Sequence, residues 1–353
     1  MTGRYGETYR RNGVSAFAKR HQYCRNLLVI IAVSKLNLPS LTRRYADTPI
    51  RLPVPPARRS KSDLERAQTR AGYLFVIPSF VLYAVFVLAP VIVTFVLSFT
   101  YYDPMAGSRW VGMENFQRFF TGDRSLQIFW NTLSFAIFAV TGNVIVGLLL
   151  ALALNRAMPA FLLYLFRLAY FLPVIIAAAF VSIVWGYFYG DDLGVINYYL
   201  IRLGLAPVHW LTSSRTAMMS IIIMDIWKNA GFFMIIFIAA LQGVPKAIID
   251  AAIMDDASYW RRFYRIVLPW ISPVVFFTIV YASIGALQVY ESIVILTRGG
   301  PGDATRSMSI YIVEEAFGSF EIGYGASVSV IMTLLILIIT SIQLVASRRW
   351  VRY

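Results

Sequence analysis

The sequence predicts an all-α membrane protein with six transmembrane helices, on three observations: an apolar composition, six long apolar runs, and one charged stretch set between the fourth and fifth runs. Hydrophobic residues fill 58% of 353 positions and charged residues only 14%. With a mean hydropathy of +0.65, the chain is far more apolar than an ordinary soluble domain. The runs cover about Tyr73 to Phe99, Phe129 to Leu154, Phe161 to Phe188, Met218 to Leu241, Ile271 to Leu296 and Ala326 to Ala346. Each exceeds or matches the roughly 20 helical residues that a hydrocarbon core requires. None alternates as a strand would, and a helix satisfies its backbone polar groups without outside partners.

The net charge of +14 is concentrated at one end, because residues 1–72 hold 15 Lys/Arg against 4 Asp/Glu. No aromatic–basic pattern for base stacking accompanies them, so a nucleic-acid partner is not expected. The apolar patch Leu27 to Val33 is too short to cross a membrane. Ala32-Val33-Ser34 has a weak likeness to a leader cleavage site, but the region before it is long. The expectation is a cytoplasmic extension over 1–70, with no fold assigned, ahead of a membrane domain over 71–350. Placing the amino terminus inside puts 24 of the 32 Lys/Arg on the inner side, together with both termini and the charged stretch. Cys24 stands alone, which excludes an internal disulfide and a cysteine metal cluster. His21 and His209 both lie outside the runs, and neither a metal nor a cofactor is expected.

The charged stretch is Gly243 to Pro273. Pro245 suits the first turn of a helix, and Ile248, Ile249 and Ala252 follow at helical spacing. Asp255-Asp256 interrupts this first short helix. A second begins at Ser258 as N-cap, with Tyr259, Phe263 and Ile266 on one face and Arg261, Arg262 and Arg265 on another. It is expected to stop at Leu268-Pro269, since proline disfavours helical geometry in the residue before it. By physics alone, an amphipathic loop resting on the bilayer has the same pattern.

The order Asp250-Ala251-Ala252, Asp255, Ala257, Phe263, Ile266, Leu268-Pro269 resembles the EAA loop of permease subunits in binding-protein-dependent ABC importers. Asp250 stands where Glu is usual, and Asp256 where Gly is usual, although Gly adopts left-handed turn geometry far more cheaply. Two outer segments, Gly112-x-x-Asn115-Phe116 and Leu296-Thr297-x-Gly299-Gly300-Pro301, resemble signatures of the carbohydrate-specific branch. An aromatic belt and a tight turn at a helix end account for them equally.

This resemblance, which covers roughly residues 70 to 350, implies the type I ABC importer permease fold with a cytoplasmic coupling helix. It gives Asp250, Ala251, Ala252, Asp255, Asp256, Ala257, Arg261, Leu268 and Pro269 a role in coupling to an ABC ATPase dimer. It further implies a second homologous permease subunit, an extracytoplasmic solute-binding (lipo)protein, a sugar or related solute, and a place in the bacterial plasma membrane among its lipids. The dipeptide Gly-Lys never occurs, so the chain has no P-loop of its own, and ATP must act through another polypeptide. Alternating access is the implied mechanism.

Polar groups inside the runs each cost some ~2.5–3.5 kcal/mol when charged and at the membrane centre. Asp225, Lys228 and Asn229 lie in the fourth run; Gln288, Tyr290 and Glu291 lie in the fifth. Asp225 and Lys228, three apart, either neutralise each other or line a central aqueous cavity. Sugars are held by aromatic faces and hydroxyl-directed amides and carboxylates, which makes Asn229, Phe232, Phe233, Tyr281, Gln288, Tyr290 and Glu291 the candidates. The alternative for Phe232 and Phe233 is a lipid or helix-packing face, and for Tyr281, Ser283 and Gln288 interhelical bonding. Two rival functions remain: an ion-coupled transporter using Asp225 and Glu291, and a membrane-embedded transferase, for which Asp191-Asp192 is a paired acid outside the charged stretch.

Overall fold

The structure is a computed structural model that describes residues 63–103, 107–156 and 158–351. The expectations for the extension, including Leu27 to Val33, His21 and Cys24, lie outside the described residues. By its internal contacts the chain divides between Ser79 and Phe80. Among the described residues, five helices are long and apolar enough to cross a membrane, and a sixth span exists if one bent pair is counted as one.

Helix α1 (Asp63–Tyr83) passes through a π-helical turn at Ala84–Leu88 into α2 (Ala89–Leu97). A hairpin, β1 (Thr100–Asp103) and β2 (Gly107–Trp110), interrupts the otherwise helical order, with Thr100 opposite Trp110. An all-α expectation misses this hairpin. Short α3 (Glu114–Thr121) then leads into α4 (Asp123–Leu154), the longest helix.

The third apolar run does not form one span. It divides into α5 (Ala160–Ile175) and α6 (Ala178–Phe188), bent by 104° at Ile176-Ala177, where both residues have extended ψ values. Helix α7 (Val195–Arg202) and the long α8 (Ala217–Gln242) follow.

The charged stretch forms a helical hairpin as expected in its first half. α9 (Lys246–Met254) ends in a Schellman-type turn: the Asp256 N–H donates to Ile253 O and the Ala257 N–H to Ala252 O, both at 3.0 Å. Asp256 carries the left-handed residue of that turn, at φ 51°. A side chain in this conformation costs about 1 kcal/mol relative to glycine, and Asp is among the residues that tolerate it best. Ser258 caps the next helix by accepting from the Arg261 N–H at 3.4 Å.

The expected stop at Leu268-Pro269 does not occur. α10 (Tyr259–Arg262) continues through a π turn at Phe263–Val267 into α11 (Leu268–Leu287), which makes Tyr259–Leu287 one rod. The Leu268 N–H reaches back five residues to Phe263 O. This wider turn makes room for the Pro269 ring where a regular α-turn would clash. The same device precedes Pro90, where the Ala89 N–H bonds to Ala84 O.

The fifth run also breaks. α11 ends at Leu287, residues 288–290 are irregular, and α12 (Glu291–Leu296) resumes. α13 (Met308–Val313), a π turn at Glu314–Gly318, and α14 (Ile322–Trp350) complete the chain.

Packing centres on α4 and α8. Val144, Ala151 and Leu154 of α4 meet Phe233, Phe237 and Leu241 of α8, with Ile271 and Ala282 of α11 closing the cluster. A glycine on each of these two helices allows a close approach. A Cβ on Gly147 would lie 2.4 Å from Phe233 Cβ, and one on Gly231 only 1.9 Å from the Tyr170 carbonyl oxygen of α5. Small residues at such crossings are what allow membrane helices to pack. Gln343 of α14 donates to Ser283 of α11 at 2.8 Å, so Ser283 does bond between helices.

Gly231→Ala is expected to destabilise the chain by about 1–3 kcal/mol through overpacking against backbone. Gly285→Ala, with nothing within 4 Å of the added carbon, is expected to be neutral or slightly stabilising. Thermal melting of the detergent-solubilised protein, followed by size-exclusion chromatography, checks the pair; equal melting temperatures contradict the close crossing.

Candidate functional site: a cavity at two helix breaks

A cavity of about 670 Å³ opens between α4, α8, α11 and α12. Its wall includes Val174 and Ala178, on either side of the α5–α6 bend, and Gln288, Val289 and Tyr290, the irregular residues between α11 and α12. Helices break because something else satisfies their backbone. At membrane depth an irregular segment is tolerated only when buried in protein or beside a wet cavity, and both breaks border this one.

All eight sequence-predicted pathway residues line the cavity: Asp225, Lys228, Asn229, Phe232, Tyr281, Gln288, Tyr290 and Glu291. Asp225, Lys228, Asn229 and Phe232 recur at helical spacing along α8 and so share its inner face. The Phe232 and Tyr281 rings lie 5.0 Å apart, tilted by 33°, and present a joint aromatic surface. Phe233 lines the same cavity but is almost wholly buried and packs in the core, as a helix-contact reading requires.

The neutralising pair of Asp225 and Lys228 gives way to a different arrangement. Asn143 Nδ2 donates to Asp225 Oδ2 at 2.9 Å and Asn229 Nδ2 to Asp225 Oδ1 at 3.0 Å. No Asp225–Lys228 ion pair within 4.0 Å forms among the described residues; amides from two helices contact the carboxyl group instead. The two amide donors hold the carboxyl group from either side, and Lys228 lines the cavity beside it. Asn143 is the residue that sequence reasoning missed. It is 4% exposed, lines the cavity, and its Oδ1 has no hydrogen-bond partner. An amide in the middle of the second apolar run was its only signal.

The two outer motifs turn out to be fastenings. Asn115 Nδ2 donates to Ser98 O and Thr100 O, both at 3.0 Å, and so closes the end of the first span onto the hairpin. Gly112, at φ 60°, lets its N–H and that of Val111 reach Phe99 O, while Phe116 packs on the Phe99 ring. In the second motif, Thr297 and Thr305 hydroxyls share a 2.7 Å bond and Thr305 donates to Gly300 O. Asn131 Nδ2 and Arg124 Nε of α4 hold this loop through Asp303, at 2.7 and 2.8 Å. The Arg124 guanidinium, with Arg306, keeps the Asp303 carboxyl below the usual carboxylate range. Nearby, burial pushes the Glu315 carboxyl up, and Glu321 adds to the shift. Asp191, the paired-acid candidate for a transferase, instead accepts from Thr212 Oγ1 at 2.6 Å in the turn between α6 and α7.

The coupling candidates divide. Asp250, Ala251, Asp255, Asp256 and Arg261 are exposed on the α9–α10 hairpin, whereas Ala252 is 8% exposed and packed inside the chain. Ala257 is half-buried in the turn; Leu268 and Pro269 sit back along the rod and are not at the hairpin surface.

A profile of the family described as binding-protein-dependent transport system inner membrane component matches residues 143–352. The probable ABC transporter permease protein YesP of Bacillus subtilis (strain 168) is 32% identical over 301 residues, covering 83% of this chain and 95% of that one. The trehalose/maltose transport system permease protein MalF of Thermococcus litoralis is 31% identical over 290 residues, 81% and 97% of the two chains. The sn-glycerol-3-phosphate transport system permease protein UgpA of Yersinia pestis is 34% identical over 286 residues, 80% and 95%. In fold, the chain is similar to a crystal structure of a bacterial ABC transporter involved in the import of alginate, with a TM-score of 0.72 at 24% identity over 82% of this chain and 98% of that one. These likenesses set aside both the ion-coupled and the transferase readings. The chain belongs to the family of inner membrane components of binding-protein-dependent transport systems.

Proposed function

We propose that this chain forms half of the translocation pathway of an ATP-driven importer for a sugar or closely related solute. A second homologous permease subunit supplies the other half, and an ABC ATPase dimer supplies the energy. An extracytoplasmic solute-binding protein delivers the solute to the outer loops. The permease domain occupies 71–350 of a multi-pass chain in the bacterial plasma membrane, with both termini and the α9–α10 hairpin on the cytoplasmic side and 1–70 as a cytoplasmic extension.

The observation that carries the reading is the composition of the cavity wall. Phe232, Tyr281 and Tyr290 offer aromatic faces beside Asn229, Gln288, Asp225 and Glu291, which is the mixture of stacking surface and hydroxyl partners that a sugar takes. The relative named for trehalose/maltose transport supports the substrate class.

The exposed α9–α10 hairpin is the docking element. Met254, 83% exposed at the end of α9, and Ile253 beside it are apolar side chains at its tip, suited to an ATPase cleft. Asp250, Ala251, Asp255, Asp256 and Arg261 flank them. Ala252 and Ala257 shape the turn, and the rod through Leu268 and Pro269 carries the hairpin's motion to Tyr281 and the cavity. ATP-driven closure of the ATPase dimer then moves the hairpin as a rigid body and turns the cavity outward; hydrolysis returns it.

Proteoliposomes containing the assembled importer test the transport claim. Wild type is expected to take up a labelled sugar from a panel only with ATP inside, and Gln288→Ala or Glu291→Ala to cut that uptake at least tenfold with subunit composition unchanged. Uptake by the purified chain alone, or unchanged uptake in both variants, contradicts the proposal. Met254→Asp is expected to abolish co-purification of the ATPase while the chain still inserts into membranes; full recovery of the ATPase contradicts the docking role.

A further inference from the structure

A second cavity, of about 490 Å³, lies between the α9–α10 hairpin and the ends of α4 and α8. It is separate from the pathway cavity, and the two share no lining residue. Its polar side is cationic. Arg156, just beyond the end of α4, Lys246, the first residue of α9, and Arg262 of α10 all line it. Asp250 is the one acid in the lining. Two regions far apart in sequence, the end of α4 and the α9–α10 hairpin, thus bring three positive charges to one cavity against a single negative one. No ion pair forms with any of the three cations among the described residues, although Asp250 lines the same cavity.

The other side is apolar. Leu152, Leu241, Phe263 and Val267 form it, and they belong to the same packed ends of α4, α8 and the rod. Like charges gathered around a cavity repel one another unless something neutralises them. A fully soluble anion leaves the apolar wall uncovered; a neutral lipid leaves the charges uncompensated. An amphiphile with an anionic head satisfies both walls. Leu154 and Gln242 end the two spans beside the cavity, which places it at the level where apolar helix gives way to polar loop. Basic pockets between spans at the cytoplasmic surface are suited to acidic headgroups. The volume falls within the ~300–1,000 Å³ of small-ligand sites.

We propose that this cavity binds the phosphate-bearing headgroup of an anionic phospholipid from the same leaflet, held by Arg156, Lys246 and Arg262. The bound headgroup ties the hairpin to the ends of α4 and α8 and so fixes the base from which the hairpin moves. The cytoplasmic side of the cavity rests on the orientation given above, but the binding itself does not depend on transport.

The test is native mass spectrometry of the full chain released from nanodiscs of equal phosphatidylcholine and phosphatidylglycerol. Wild type is expected to retain one phosphatidylglycerol in clear preference to phosphatidylcholine. The combined R156Q, K246Q and R262Q variant is expected to lose about 100-fold in that preference, at roughly fivefold per cation removed. R348Q with R349Q, which removes two exposed cations at the end of α14, is expected to keep it. Should the triple variant fail to purify as a single species, R156Q and K246Q measured singly, both at exposed positions, carry the same test. Absence of a preference in wild type overturns the proposal, as does a preference that the pocket variants leave intact. Equal binding of soluble glycerol phosphate by the delipidated chain overturns the lipid assignment. None of these readouts involves sugar uptake, so failure here is distinguishable from failure of the transport reading.

Discussion

A backbone N–H or C=O left unpaired in hydrocarbon costs several kcal/mol, and that constraint decides where the important parts of this chain lie. Two apolar runs long enough to be unbroken spans are nonetheless broken, at Ile176-Ala177 and at residues 288–290. Such breaks need a wet or protein-lined neighbourhood. Both find it at the same cavity, which receives Val174 and Ala178 from one break and Gln288 through Tyr290 from the other. Asp225 depends on that neighbourhood too. Its carboxyl group is held between α4 and α8 by hydrogen bonds from Asn143 and Asn229.

Around this polar centre, packing does the work of alignment. Glycines at 147 and 231 bring α4, α5 and α8 within backbone contact, and the rod Tyr259–Leu287 stays continuous past Pro269 by opening one π turn. That rod is continuous from α10 at one end past Tyr281, which lines the cavity. Two short fastenings, Asn115 onto Ser98 and Thr100 and Arg124 with Asn131 onto Asp303, hold the opposite loops to α2 and α4.

Much of this was legible in the sequence, because long apolar runs and helical spacing are strong signals. Asp225, Lys228, Asn229 and Phe232 reveal one face by spacing alone, and Ser258 declares its cap. What the sequence hid follows from competition between local and tertiary terms. Phe161 to Phe188 holds one local signal, Pro173 three residues before Ile176, but Pro273 sits in α11 without such a bend, so a proline alone does not announce a break of 104°. Proline at 269 read as a stop because its local clash is evident, whereas the π turn that removes the clash has no sequence signature. Lys228 read as the partner of Asp225 because spacing within a helix is visible. Asn143, on another helix 82 residues away, is not.

The account stands on the claim that the α11–α12 break opens onto water at membrane depth. On a Cys24→Ser background, Gln288→Cys and Phe232→Cys can be compared with Val93→Cys, an exposed apolar position on α2, in permeabilised membrane vesicles treated with a membrane-impermeant maleimide. Rapid labelling at 288 and 232 with none at 93 is the predicted result. Labelling at 288 as slow as at 93 would contradict the account, since the broken helix would then lie in a dry surrounding.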